Sequence, residues 1–272
     1  MKKIGTLVLT AAMAFALVAC GSETTESAPE SSVEESVATQ ESSVEESVAT
    51  QESSVEESEA VVEESSTEEA VAVMSYADYA AAELDSEVVI EAYVQATQSW
   101  WDNKITVYLQ DQDGAYFAYN MACSEEDAAK LVPGTKIRVT GYKTEWSGEV
   151  EIAEGATFEF VEGDTFVAEP VDVTDLLGTD ALVEKQNQKV AFKDMTVSAV
   201  SYKNNEPGDD IYVNFTKDGA EYAFCLEYYL NGSDEEFYNA VGSLEVGQVC
   251  DVEGFLYWYE GPNPHITAVT VK

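Results

Sequence analysis

The chain has 272 residues, with 53 Asp and Glu against 13 Lys and Arg, a formal net charge of −40. So few cations weigh against affinity for a polyanion, because Lys and Arg supply most of the energy of phosphate contacts, and so much negative charge repels anionic lipid headgroups. A single His, and four Cys with no Cys-x-x-Cys spacing, offer no pattern for a zinc or redox centre, so neither metal nor cofactor is expected.

Lys2 and Lys3 precede an apolar stretch from Ile4 to Phe15, which is shorter than the ~20 residues a membrane-spanning helix needs. Leu17-Val18-Ala19-Cys20 comes next, with Gly21-Ser22 directly behind it. These residues resemble the lipobox of bacterial lipoproteins. The resemblance implies cleavage after Ala19, a diacylglyceryl group on the Cys20 thiol, and a lipid anchor in the cell membrane facing away from the cytoplasm. Acyl chains contribute ~0.8 kcal/mol per buried CH₂, enough for two or three of them to hold a protein without a spanning helix. An ordinary secretory signal with an incidental Cys is the bland alternative.

Residues 20–73 are dominated by Ser, Glu, Val, Thr and Ala. Glu30 to Gln40 recurs without change from Glu41 to Gln51, a period of eleven residues, and begins again at Glu52. Such a spacing suits a right-handed coiled coil. Against it, Ser, Thr and Val are mediocre helix formers, neighbouring glutamates repel, and two Val per repeat bury too little area to offset ordering entropy. The segment is expected to be a disordered stalk, holding the C-terminal modules at a distance from the membrane.

From residue 74 onward the pattern is that of short strands. In residues 74–175 a helix is expected over Tyr76 to Leu84, capped by Ser75. Strands come next at Val88 to Ala96 and Ile105 to Gln110, where Ile105, Val107 and Leu109 alternate with Thr106, Tyr108 and Gln110. Asp111 to Gly114 is a hairpin turn, Tyr116 to Met121 a third strand, and Ser124 to Leu131 a short acidic helix stopped by Pro133-Gly134. Lys136 to Lys143 and Val150 to about Val161 complete five strands, with Trp146-Ser-Gly148 turning between the last two.

Residues 176–272 repeat the order. Strands are expected at Val190 to Ser201, Ile211 to Phe215 and Tyr222 to Leu226, with Lys217-Asp-Gly219 as the hairpin. A helix capped by Ser233 is next, then strands at Val249 to Tyr257 and Ile266 to Val271. Gly134-Thr-Lys-Ile-Arg-Val-Thr-Gly141 aligns with Gly247-Gln-Val-Cys-Asp-Val-Glu-Gly254, and Asp113-Gly-Ala-Tyr-Phe-Ala-Tyr119 with Asp218-Gly-Ala-Glu-Tyr-Ala-Phe224. Gly141 and Gly254, within strands, mark bends. The first alignment puts Cys250 in the core slot of Ile137. Cys123, Cys225 and Cys250 accordingly read as buried thiols, with Cys225–Cys250 the one pair that shares a module.

This order and these motifs resemble the OB-fold domains of bacterial lipoproteins and other exported proteins. The resemblance implies a mainly β fold: two tandem five-stranded barrels, each with a short helix between strands 3 and 4. A two-sheet sandwich is the rival topology. OB-folds bind on the face of strands 2 and 3, framed by the loops joining strands 1–2 and 4–5. Those places hold Trp100, Trp101, Tyr108 and Trp146 in the first copy, and Tyr202, Asn204, Asn205, Tyr212, Trp258 and Tyr259 in the second. Asn263 adds a further amide.

Aromatic loop residues stack on sugars or bases or anchor a protein, though each could instead cap a barrel as core. Asp111, Asp113, Asp209 and Asp210 read as turn residues rather than calcium ligands. His265 has no partner near it in sequence, and no Ser/His/Asp or Cys/His constellation is present, so catalytic residues are not expected. The reading is a membrane-anchored binding or interaction protein for a glycan, cell-wall fragment or protein. Its alternative is an OB-fold nucleic-acid binder, which the charge disfavours.

Overall fold

The computed structural model describes residues 72–272. Cys20 and the eleven-residue repeats lie outside the described residues. Among the described residues, no helix is long and apolar enough to cross a membrane.

The first module opens with α1 (Tyr76–Ala81), whose first turn is capped by Ser75 Oγ accepting from the Asp78 amide. It ends three residues short of Leu84 because Ala82 is already extended. Five strand segments then form a ring: β1 (Glu87–Thr97), β2 (Lys104–Gln110), β3 (Ala115–Ala122), β4 (Lys136–Trp146) and β5 (Glu149–Ile152), with α2 (Glu125–Ala128) between β3 and β4. The hydrogen-bonded order is β1-β2-β3-β5-β4, and β4 pairs back onto β1 to close it. That closure and the parallel β3–β5 contact rule out the sandwich and define an OB barrel. Val88, Ile90, Val94, Val107, Leu109, Ile137, Val139 and Ile152 fill it with essentially no exposure. Each such side chain contributes about 1.5–3 kcal/mol through burial.

The expected fifth strand is broken. β5 pairs with the second half of β4 (Lys143 opposite Ile152), and β6 (Thr157–Phe160) with its first half (Thr140 opposite Thr157). Residues 153–156 bulge out opposite Gly141 and Tyr142. Gly141 is needed there: a Cβ would lie 2.6 Å from Ile152 Cγ2 and 2.7 Å from Ala156 Cβ. This is the bend expected from the sequence, and its cause is close approach across the corner.

The chain then crosses to the second module. Gln95 holds the crossing segment, accepting from the Ala168 amide and donating to the Phe166 carbonyl. β7 (Val171–Asp172) joins the second sheet, parallel to β8 (Lys189–Tyr202). Met74 makes the same parallel bridge to Ile90, so each module begins with a short edge against its first long strand. Two 3-10 turns, Thr174–Leu176 and Asp180–Lys185, stand where α1 stands in the first module. The second ring comprises β8, β9 (Ile211–Lys217), β10 (Ala220–Leu226), β11 (Val249–Phe255) and β12 (His265–Val271). Its order is β8-β9-β10-β12-β11, with β11 again pairing β8.

Two helices lie between β10 and β11: α3 (Tyr228–Asn231), which the sequence pattern did not reveal, and α4 (Glu235–Gly242). The α4 cap is Asp234, whose carboxylate accepts from the Phe237 amide, and not Ser233, which stands one residue too early. Cys250 is fully buried in the core slot matching Ile137, and the thiols of Cys123, Cys225 and Cys250 are free and buried.

One alignment between the copies changes register. Asp218 and Gly219, both at positive φ, make a two-residue hairpin between β9 and β10, whereas four residues join β2 to β3. Tyr116 points into the first barrel, but its aligned partner Glu221 points outward and binds Ser198 and Asn214. A slip of one residue exchanges the two faces of a strand.

Replacing Gly141 by Ala should lower stability by about 1–3 kcal/mol, the usual cost of overpacking. Urea unfolding should show a reduced midpoint with an unchanged m-value.

Candidate cleft between the barrels

Alternation on β2 and β3 sends Thr106, Tyr108, Gln110 and Phe117 outward, onto the face where an OB-fold ordinarily binds. Here that face is covered. Tyr108 has no exposed surface and Phe117 is 2% exposed, because the second barrel packs over them. The Tyr108 ring stacks on Phe255 of β11, with centroids 4.3 Å apart and planes 10° apart. Its hydroxyl shares a 2.7 Å hydrogen bond with Nδ1 of His265, the first residue of β12. Burial pushes the His265 pKa down to about 3, so the ring is neutral at ordinary pH.

Polar groups surround this stack and pair across the junction. Gln110 Oε1 accepts from the Lys189 amide, Gln186 bonds both the Gly148 carbonyl and the Val150 amide, and Asn187 donates to the Val150 carbonyl. Glu149 Oε2 accepts from the Trp258 amide at 2.8 Å. Trp258 packs the edge of its indole against Gly148, where a Cβ would come within 2.7 Å of Cδ1.

Beside the junction the barrels leave a cleft of about 810 Å³. The first barrel contributes Gln98, Phe117, Tyr119, Trp146 and Glu151. The second contributes Lys203, Asp210, Tyr212, Glu227, Tyr257, Tyr259, Asn263 and His265. A smaller hollow of about 320 Å³ adjoins it through the shared residues Gln98 and Tyr119, and adds Trp101 and Tyr229. Trp101, Tyr119, Trp146, Tyr212, Tyr229 and Tyr259 are all more than a third exposed. Trp146 and Tyr259, from the 4–5 loops of the two copies, face each other at 5.2 Å.

The residues singled out from the sequence separate into groups. Trp146, Tyr212 and Tyr259 meet in the cleft, and Trp101 lies in the adjoining hollow. Tyr108 belongs to the buried junction. Trp100 packs on the first core and donates to the Cys123 carbonyl, and Tyr202 packs on the second core over Gly242. Trp258 also packs on the second core. Asn204 and Asn205 are exposed at positive φ, with Asn204 bonded to Asp209. Theirs is turn chemistry.

Sequence reasoning missed Tyr119, Glu151 and Glu227 in the cleft. Tyr119 and Glu151 sit at outward positions of β3 and β5, which alternation could have identified. Glu227 caps α3, accepting from the Leu230 amide, and that helix had left no pattern.

The electrostatics of the cleft are acidic. Burial raises the Glu151 carboxyl to about 7, and burial followed by the nearby Asp210 charge raises Glu227 to about 7. The cleft's lysine, Lys203, is bound to Asp209 and Asp210. Behind the wall, Glu149 is fully buried, and its Oε1 has no partner among the described residues. Burial lifts its pKa to about 9, against the opposing effect of Asn187 and the Trp258 amide.

No family model and no curated protein matches the chain. Among solved structures, it is similar to a murine DNA-binding protein bound with double-stranded DNA, at 10% identity and TM-score 0.35, covering 69% of this chain and 94% of that one. It is similar to the Ifi202 HINa domain in complex with 20-bp double-stranded DNA, at 11% identity and TM-score 0.32, covering 70% and 96%. It is also similar to a Replication Protein A heterotrimer bound to single-stranded DNA, at 13% identity and TM-score 0.31, covering 68% and 49%. The class, a tandem OB-fold protein, rests on the strand order and closure of the two rings.

Glu149 makes stability depend on pH. Its folded pKa of about 9 exceeds the ordinary 4.5, so its contribution is fully present below about 4.5 and is lost as pH rises toward 9. Glu149→Gln keeps an acceptor for the Trp258 amide and removes the titration. The wild-type urea midpoint should fall from pH 5 to pH 9, and the variant's should fall less and stand higher at pH 8–9. Glu151 and Glu227 leave a residual slope of the same sign.

Proposed function

We propose that the chain is a lipid-anchored, extracytoplasmic binding protein whose cleft between the barrels takes a saccharide. The observation that carries this reading is the concentration of exposed aromatic rings around two adjoining hollows. Exposed aromatics gathered in a concave site with a few polar groups are the usual make-up of a ligand pocket. Trp146 and Tyr259 offer apolar faces to sugar rings, and Gln98 and Asn263 offer amides to hydroxyls.

The lipid anchor rests on the Cys20 motif, and the repeats behind it serve as a spacer. The reading is of a binding protein rather than an enzyme, because His265 is committed to Tyr108 and the Cys225 thiol is buried with its pKa raised by that burial.

Single-stranded nucleic acid is the second reading, favoured by the stacking rings, which accept any base. The cleft's carboxylates oppose it, and several of the basic side chains are engaged elsewhere. Lys136 and Arg138 hold Glu91, and Lys272 holds Asp194 and Asp251.

Calorimetric titration of the mature chain with a panel of oligosaccharides should find a ligand whose affinity falls tenfold or more in Trp146→Ala and in Tyr259→Ala, since a stacked ring contributes about 1–3 kcal/mol. Affinity indifferent to both substitutions would overturn the site. Oligonucleotide binding that is tight at low salt and collapses with added salt would replace the ligand class. For the anchor, a clickable fatty-acid analogue should label the wild type in cells and not Cys20→Ser, and labelling retained in the variant would refute lipidation at Cys20.

A further inference from the structure

Glu151 is 7% exposed, yet its carboxylate has no hydrogen-bond partner among the described residues and opens into the cleft. The other acids of the cleft are already engaged. Asp210 binds Lys203 and the Tyr228 amide, and Glu227 caps α3. Glu151 stands apart because of its strand. Val150 and Ile152 of β5 turn toward the core, so Glu149 and Glu151 turn outward, to be covered by the second barrel.

Among the described residues, no cation is available to it. Lys143, on the neighbouring strand β4, spends its ammonium on the carbonyls of Tyr79, Ala80 and Ala82 at the end of α1. Lys203 is held by two aspartates, and His265 is neutral and bonded to Tyr108. The remaining titratable groups near Glu151 are acids: Glu149 on its own strand, the phenol of Tyr257 in the cleft, and that of Tyr79 inside the first barrel. A carboxylate largely withdrawn from water, with only its cleft side wet and no counter-ion, is costly, and a ligand that brings the counter-ion offsets that cost. The walls of the cleft suit a cation as well. Tyr119, Trp146, Tyr257 and Tyr259 line it, and aromatic faces attract ammonium groups, most strongly where water is excluded.

We propose that the saccharide taken by this cleft carries a free ammonium group, an amino sugar, and that Glu151 is its counter-ion. This rests on the reading of the cleft as a saccharide site. It specifies the chemistry of the ligand: a ring to stack on Trp146 and Tyr259, hydroxyls for Gln98 and Asn263, and an amine for Glu151.

The test is calorimetry of the full chain at pH 7 with a β-1,4-linked glucosamine tetramer and with its fully N-acetylated counterpart, which has the same backbone, an acetyl group on each nitrogen and no charge. The glucosamine tetramer should bind at least tenfold more tightly, and that preference should shrink with added salt. Glu151→Gln, of equal size, should abolish most of the preference of the glucosamine tetramer over the acetylated one. Where the variant is poorly folded, the wild type's preference and its loss with added salt still test whether the ligand must carry an amine. Equal affinity for the two tetramers, a preference indifferent to salt, or a preference that survives in a folded Glu151→Gln would overturn the inference. Binding of the acetylated tetramer alone would do so while leaving the saccharide reading intact, and binding of neither would count against both.

Discussion

The stack of Tyr108 on Phe255 governs the described structure, because it closes the face of the first barrel that an OB-fold ordinarily keeps open. Burying an aromatic ring of this size is worth about 1.5–3 kcal/mol, and Phe117 adds a second buried ring beside it. Once these side chains are covered, β2 is buried on both faces, and the inward and outward halves of its alternation serve two different cores. The surface proposed to take a ligand is thereby displaced. It moves from the middle of the β2–β3 face to the margin, where Trp146 and Tyr119 meet Tyr212, Tyr257 and Tyr259 of the other barrel.

Closing that face has an electrostatic consequence. The residues that frame the stack are polar, and each must find a partner or bear the loss of hydration. Gln186 and Asn187 meet much of this need, bonding the backbone of the 4–5 turn and the start of β5. Two carboxyls on β5 are the exceptions. Glu149 is covered and raised so far that it keeps its proton through neutral pH, while Glu151 sits at the cleft margin, where it titrates near neutrality. Retaining acids there is a cost to folding, and in the proposed function one of them is recovered by the ligand.

Much of the fold is legible in the sequence because strand alternation, turn residues and caps act locally. The alternation of Ile105, Val107 and Leu109, the Asp218-Gly219 hairpin, the Ser75 and Ser124 caps and the bends at Gly141 and Gly254 all stand where those residue types require. The destination of the outward face is not local information. Nothing near Tyr108 in sequence distinguishes a residue that faces a ligand from one that faces Phe255, 147 positions later. The same limit explains the misaligned third strands. Matching Asp-Gly pairs suggested one register, but the two-residue and four-residue hairpins feed their strands with opposite faces inward. Of the aromatics singled out, Trp146, Tyr212 and Tyr259 line the cleft because their loops or edges lie at the margin, whereas Trp100, Tyr202 and Trp258 were drawn into cores by the same apolar area that made them conspicuous.

The two copies share an architecture and not a task. The first gives its β2–β3 face to the junction, and the second gives β11 and the start of β12, leaving its own β9–β10 face free to form the far wall of the cleft through Tyr212 and Cys225. A ligand lying there touches both barrels, so whatever holds the barrels together also sets the geometry of the site. Trp258 illustrates the coupling: it packs against Gly148 in the turn that carries Trp146, and its amide is bound by Glu149, two residues from Glu151. The junction, in that arrangement, is the frame against which the cleft's aromatic rings and the Glu151 carboxylate are positioned.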